Sequence, residues 1–234
     1  MHIVHQPHKE LPMRLLRLAA ACLFATAISG AAFASPTNPQ NGVDYVTLAQ
    51  PQPVQTSGKK VEVIEFFMYH CPVCNGLEAG FEEWVKKQGD RIQVRRIHMP
   101  YTGAADPEAH LYLTLEALGK LDQMHGKVFD AVHKQRIRLN QDEPIIDWVS
   151  KNGIDRATFL GAWNSFGVLT RLRGLNRVIE NYKVDSVPTI IVDGKYMTSP
   201  EMAHNSTKTN NPQEMFQATL QIADALVAKA AASK

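Results

Sequence analysis

The chain has 234 residues, with 25 Lys and Arg against 23 Asp and Glu, and three cysteines. That excludes a small disulfide-stapled scaffold and leaves room for one domain with a sizeable core, or two small ones. With 44% hydrophobic and 21% charged residues wholesale disorder is excluded, and a net charge of +2 is too weak to argue for nucleic acid.

From Met13 the chain reads as a leader. Arg14 and Arg17 precede a mostly apolar stretch at 18–28, too short to span a bilayer with margin, and Ala32-Phe33-Ala34 before Ser35 is a cleavage signal. Residues 1–34 are expected to be a secretory signal peptide cut after Ala34, with Met1 or Met13 as the start. Its removal takes away Lys9, Glu10, Arg14, Arg17 and Cys22, leaving 22 basic and 22 acidic residues and one close cysteine pair, Cys71 and Cys74. An exported chain with such a pair sits where disulfides persist.

Residues 35–44 form a polar, Pro-rich lead-in, expected to be mobile. Residues 45–48 read as an edge strand, which Pro51 and Pro53 prevent from continuing inside a sheet. Residues 61–69 are a β run with Val61, Val63, Glu65, Phe67 and Tyr69 on one face and Ile64, Phe66 and Met68 on the other. Both faces are mainly apolar, which marks a central strand covered on both sides. His70-Cys71-Pro72-Val73-Cys74 follows, then Leu77, Phe81, Trp84 and Val85 at helical spacing and a second strand at 92–97, together a βαβ unit.

Residues 101–182 change to helices only. Leu111, Leu115, Leu118, Leu121, Val128, Phe129 and Val132 recur at spacings of three and four; further helices fall at 144–149, 158–163 and 169–179, with Asp142 and Asp155 as N-caps. Segments 189–192 and 195–198 flank Asp193-Gly194, the signature of a tight hairpin. Asn211-Pro212-Gln213-Glu214 opens the last helix with a cap, a first-turn Pro and a capping-box acid. Met215, Phe216, Leu220, Ile222, Ala223, Leu226 and Val227 give that helix its apolar face; Trp84, Met124, Trp148 and Trp163 read as core. The fold class is α/β: a thioredoxin-like domain at 45–100 and 183–234, with an all-helical subdomain inserted at 101–182.

Cys71 ends a strand and begins a helix, with Pro72 where a missing N–H costs nothing. Its sulfur lies near unpaired backbone N–H groups, which favour the thiolate, the reactive form. Cys74 is one turn on and on the same face, at a separation that suits a disulfide. Cys71 is therefore the expected nucleophile and Cys74 the sheltered resolving thiol. Half a zinc site would need two further ligands at similar spacing, and there is neither a second Cys pair nor a paired His spacing among residues 35–234. An inert staple is the other alternative, but the short ring it closes constrains the unfolded chain little.

Glu65-Phe66-Phe67-Met68-Tyr69-His70-Cys71-Pro72-Val73-Cys74, Ala162-Trp163-Asn164-Ser165-Phe166, and Ser186-Val187-Pro188-Thr189 with Asp193-Gly194-Lys195-Tyr196 resemble the DsbA family of bacterial periplasmic thiol:disulfide oxidases. The resemblance runs from about Tyr45 to the end of the chain. It implies a periplasmic monomer that donates its Cys71–Cys74 disulfide to reduced, unfolded exported proteins, with Cys71 forming the mixed disulfide. It also implies reoxidation by a quinone-linked membrane oxidase of the DsbB type, with no cofactor, metal or nucleic acid. Pro188 matches the family's cis-proline beside the nucleophilic sulfur, and Val187 resembles the oxidases at the position before it. Glu65 matches a buried acid that takes a proton from Cys74; otherwise it would be a strand-end Glu paired with Lys59 or Lys60. A periplasmic reductase or isomerase would use the same cysteine pair, but isomerases of that compartment usually carry a dimerisation domain for which 200 residues leave no room.

Val73 departs from the family pattern, in which well-known oxidases place His between Pro and the second Cys. A helix N-terminus alone is worth up to about 2 kcal/mol, bringing a free thiol's ~8.5 to roughly 7, and Val73 adds no charge. A less acidic Cys71 and a less oxidising disulfide than in His-containing relatives follow. His70, which abuts Cys71, either supplies part of that charge or is a solvated strand-end histidine.

Overall fold

The computed structural model describes residues 1–2, 35–56 and 58–234; the expected leader therefore lies outside the described residues except for Met1 and His2. All seven residues of β2 (Val61–Phe67) are buried. It lies between β3 (Ile92–His98), which runs parallel to it, and β4 (Thr189–Val192), which runs antiparallel. Two further antiparallel pairings add β5 (Tyr196–Thr198) and the short edge strand β1 (Val46–Thr47), giving the order β1-β5-β4-β2-β3. The expected strand at 61–69 stops two residues early, because the backbone turns there and the Cys71 N–H returns to the Met68 carbonyl at 3.2 Å.

Alternation along β2 feeds two cores. Val61 and Val63, with Ile190 and Val192 of β4, pack against Leu77, Phe81 and Trp84 of α1 (Pro72–Gln88) and Ile222, Ala223, Leu226 and Val227 of α8 (Pro212–Ala231). Gly76 of α1 lets α8 approach, since a Cβ there would lie 2.7 Å from the Phe216 ring. Ile64, Phe66 and Ile191 instead share a core with the helices between β3 and β4. Among the described residues these are α2 (Pro107–Ala117), α3 (Leu121–His133), α4 (Asp142–Lys151), α5 (Arg156–Trp163) and α6 (Phe166–Tyr182). Met124, Trp84, Trp148 and Trp163 are all buried.

Local chemistry sets the helix ends, with three departures from the sequence expectations. Asp155 caps α5 through the Thr158 N–H at 2.8 Å, but Asp142 is the first residue of α4, after an uncapping Gln141. There its charge favours the helix N-terminus without a capping bond. Helix α7 (Pro200–Thr207), capped by Ser199, has no counterpart in the sequence reading; it buries only Pro200 and Ala203, too few for a periodic signal. Glu214 does not close a capping box: it bonds the Thr209 hydroxyl and the Asn211 side chain, while the Asn211 N–H goes to Thr209 Oγ1 at 3.1 Å.

The β4–β5 hairpin turns through Asp193 and Gly194, both left-handed with φ of 53° and 62°, and the Lys195 N–H returns to the Val192 carbonyl at 3.0 Å; Val192 pairs with Tyr196, so Lys195 lengthens the connection beyond the expected two residues. Gly194 also accepts the Gln52 N–H at 2.8 Å, and a Cβ on it would stand 2.2 Å from the Gln52 carbonyl oxygen. Gly194→Ala is therefore expected to lower stability by about 2 kcal/mol or more, read as a lower urea midpoint at unchanged slope.

Candidate active site

The site forms where β2 hands over to α1. Tyr69, buried between them, is tied at three points: its N–H donates to His98 Nε2 of β3 at 3.1 Å, its carbonyl accepts from His133 Nε2 of α3 at 2.7 Å, and its hydroxyl meets His125 Nδ1 of α3 at 2.9 Å. The next residue, His70, is fixed by α2. Both its N–H, at 3.2 Å, and its Nδ1, at 2.6 Å, bond Glu108 Oε2. The hydrogen bond to Glu108 raises the His70 pKa above the usual histidine value, against the effect of burial. Burial pushes the Glu108 carboxyl up, but His70 and His98 together outweigh it and hold the carboxyl at about 2. His70 is thus hydrogen-bonded to a buried carboxylate rather than a solvated strand-end histidine.

Cys71 is the N-cap of α1, in extended backbone, and Pro72 occupies the first turn. A sulfur therefore takes the place usually held by a Ser or Asp oxygen. It accepts the Cys74 N–H at 3.3 Å and lies 3.7 Å from the Val187 carbonyl oxygen, to which its S–H donates. The Val187–Pro188 peptide is cis, and Thr189 Oγ1 closes that loop on the Ser186 carbonyl at 2.8 Å. Cys71, Val187 and Pro188, 116 residues apart at the sulfur contact, are thus brought together. Pro72 and Val73 are exposed.

The two thiols, both free, differ sharply. A hydrogen bond from the Cys74 thiol, the Cys74 and Val73 backbone N–H groups and the His70 charge lower Cys71 to about 6 despite partial burial. Cys74 is fully buried; burial, and then its bond to Cys71, drive its pKa far above the ordinary thiol value.

Glu65 is fully buried in β2, but its partner is neither Lys59 nor Lys60; Lys60 pairs with Asp90 at 2.9 Å. Arg96 Nε meets Glu65 Oε2 at 2.9 Å, and the same guanidinium contacts Glu78 and Glu82 of α1. Burial lifts both Glu65 and Glu78 to about 7 against the pull of Arg96. Glu65 Oε1 has no hydrogen-bond partner, and its charge is among the groups that hold the Cys74 thiol up.

Arg96, Glu78, Glu108, His98, His125 and His133 were not singled out in the sequence. Two signals for them existed. Parallel pairing of the two strand runs from their first residues sets Glu65 opposite Arg96, and His125, Phe129 and His133 recur every fourth residue along α3.

The DSBA-like thioredoxin domain family matches residues 62–221. The thiol:disulfide interchange protein DsbA of Burkholderia cepacia is 38% identical over 172 residues, covering 74% of this chain and 81% of that protein. That of Bordetella parapertussis is 37% identical over 188 residues, covering 80% and 87%. The crystal structure of Pseudomonas aeruginosa DsbA superposes with a TM-score of 0.71 at 33% identity, covering 82% of this chain and 96% of that one. By sequence, by fold and by the strand-to-helix cysteine pair, the chain belongs to the DSBA-like thioredoxin domain family.

Proposed function

We propose that the chain is a periplasmic thiol:disulfide oxidase that hands the Cys71–Cys74 disulfide to newly exported, reduced proteins. The asymmetry between the two sulfurs carries this reading: one at a helix N-cap with its pKa lowered to about 6, the other fully buried and hard to ionise. A substrate thiolate attacks the Cys71 sulfur, a mixed disulfide forms, and Cys74 leaves and takes a proton. A second substrate thiolate then attacks the substrate sulfur, the substrate disulfide forms, and Cys71 departs as a thiolate, for which a low pKa makes it a good leaving group. The Val187 backbone beside cis-Pro188 supports pairing of an extended substrate segment next to the sulfur.

A membrane oxidase of the DsbB type returns the pair to the disulfide. In that step Cys74 must lose its proton to attack the mixed disulfide at Cys71, and Glu65 is the base we assign to accept it. Among the described residues no helix is long and apolar enough to cross a membrane. The working form is a monomer, and residues 1–34 are the cleaved export signal.

Cys74→Ser, with Cys71 first activated as a mixed disulfide to an aromatic thiol, is expected to accumulate a covalent complex as a reduced client's thiolate displaces that thiol, separable by non-reducing electrophoresis, and Cys71→Ser treated alike to form none. A complex that instead survives in Cys71→Ser would assign the nucleophile to Cys74 and overturn the scheme.

Because the base is the carboxylate, its contribution is present above about pH 7 and lost as pH falls through that value. Reoxidation of reduced protein by glutathione disulfide should slow by at least about tenfold in Glu65→Gln above pH 7, with the difference closing at lower pH. Equal rates at pH 8 would remove Glu65 from the mechanism.

Val73→His should lower the Cys71 pKa and make the disulfide more oxidising, about 30 mV for each ~1.4 kcal/mol of thiolate stabilisation. Thiolate absorbance and equilibration with glutathione read the two quantities, and no movement in either would show that position 73 does not tune this site.

A further inference from the structure

Glu108 has no role in the scheme above, yet it is buried, charged and bonded to the residue before the nucleophile. A buried carboxylate needs a counter-charge, and the groups around it leave one source. No Lys or Arg among the described residues pairs with it; its ion-pair neighbours are His70 and His98. His98 Nε2, the nitrogen nearer to Glu108, is 3.7 Å away, beyond hydrogen-bond reach, and already accepts the Tyr69 N–H. A nitrogen that accepts that hydrogen has none of its own to offer Glu108, and the other ring nitrogen, Nδ1, lies 4.0 Å from Asp106 Oδ1 without a hydrogen-bond partner. The counter-charge therefore falls to His70. Its ring faces Glu108 and, at longer range, Asp106 from α2, the Tyr101 ring at 5.0 Å from the loop after β3, and Cys71 next in sequence.

We propose that Glu108 is a positioning residue for disulfide exchange: it holds His70 as an imidazolium beside Cys71, supplying from the helical insertion the positive charge that Val73 does not. This rests on the oxidase reading only for its purpose, since the test reads titrations and equilibria of the protein's own groups.

Reduction of the disulfide adds two electrons; above the Cys71 pKa it leaves Cys71 as thiolate and adds one proton, at Cys74. If His70 is already cationic in both redox states, it takes up no further proton in the neutral range, and the equilibrium constant changes tenfold per pH unit. Without Glu108, His70 titrates near its ordinary value in the oxidised protein and is drawn to protonate by the new thiolate, so reduction takes up an additional fraction of a proton.

The experiment compares wild type, Glu108→Gln, His70→Asn and the double variant. The His70 ring is followed by NMR in the oxidised state, and the glutathione equilibrium is measured between pH 6.5 and 8. In Glu108→Gln we expect the His70 midpoint to fall by on the order of 1 unit; because oxidation of two glutathiones releases two protons, the extra uptake by the protein leaves fewer released overall, and the glutathione equilibrium depends less steeply on pH than in wild type. His70→Asn should raise the Cys71 thiolate midpoint, and in that background Glu108→Gln should add no change of slope. A His70 that titrates at the ordinary histidine value in wild type overturns the proposal. So does an unchanged slope in Glu108→Gln, including one accompanied by lost thermal stability, which would make the contact merely structural. Should Glu108→Gln fail to fold, His70→Asn decides alone: an unmoved Cys71 midpoint overturns the proposal.

Discussion

Every residue of β2 is out of contact with water, and this dryness governs the chemistry around it. A carboxylate placed in such a strand must be paired or neutral, and Glu65 is held between the two. Its partner Arg96 is shared with Glu78 and Glu82, so one cation faces three acids, and the two more buried ones are pushed towards neutrality. The same environment acts on Cys74, one helical turn inside the sulfur that carries the opposite tendency. Two identical side chains three residues apart thus differ through position alone: Cys71 sits at a helix cap with N–H groups aimed at it, and Cys74 sits beyond the reach of any such donor except a backbone contact.

The helical insertion contributes to this site as well as to the core beside it. The peptide that delivers Cys71 is held by β3 through His98, by α3 through His125 and His133, and by α2 through Glu108. His125 is itself kept neutral: burial, and then the nearby Arg96 charge, lower it to about 3. It can therefore serve the Tyr69 hydroxyl without adding a charge to the Glu65–Arg96 group. A substitution in α2 or α3 consequently reaches the cysteines through two or three hydrogen bonds, with no contact to either sulfur.

The parts of the fold legible in the sequence were those set by local rules. The two-sided apolar run of β2, the Cys-Pro-x-Cys step into α1 and the Asp193-Gly194 turn each depend on neighbours in the chain. The short helix α7 escaped because a two-residue footprint has no period. The Cys71 environment was readable for the same local reason, since a helix N-terminus is announced by Pro72. Arg96 and Glu108 were not, because a charged residue in a strand or in a first helical turn reads as solvated until a second element is placed over it. For Arg96 that element is the neighbouring strand, and the register that identifies it is a property of the sheet. For Glu108 it is the turn at His70, 38 residues away.

The source of the Cys71 acidity bears on how the enzyme can be tuned. The strongest favourable contributions are the Cys74 thiol and backbone N–H groups, which no substitution at position 73 removes. Side-chain charge is a smaller addition on top of that base, and here it comes from the residue before the nucleophile. A charge at position 73 projects into solvent, since that side chain is exposed, and salt screens it. The His70 side chain, 36% exposed against 42% for Val73, is little more enclosed, but it is anchored to a buried carboxylate, so a charge there is fixed in place. A charge at position 70 is therefore placed by the fold rather than by a free side chain, while Pro72 and Val73 leave the exposed side of the sulfur apolar.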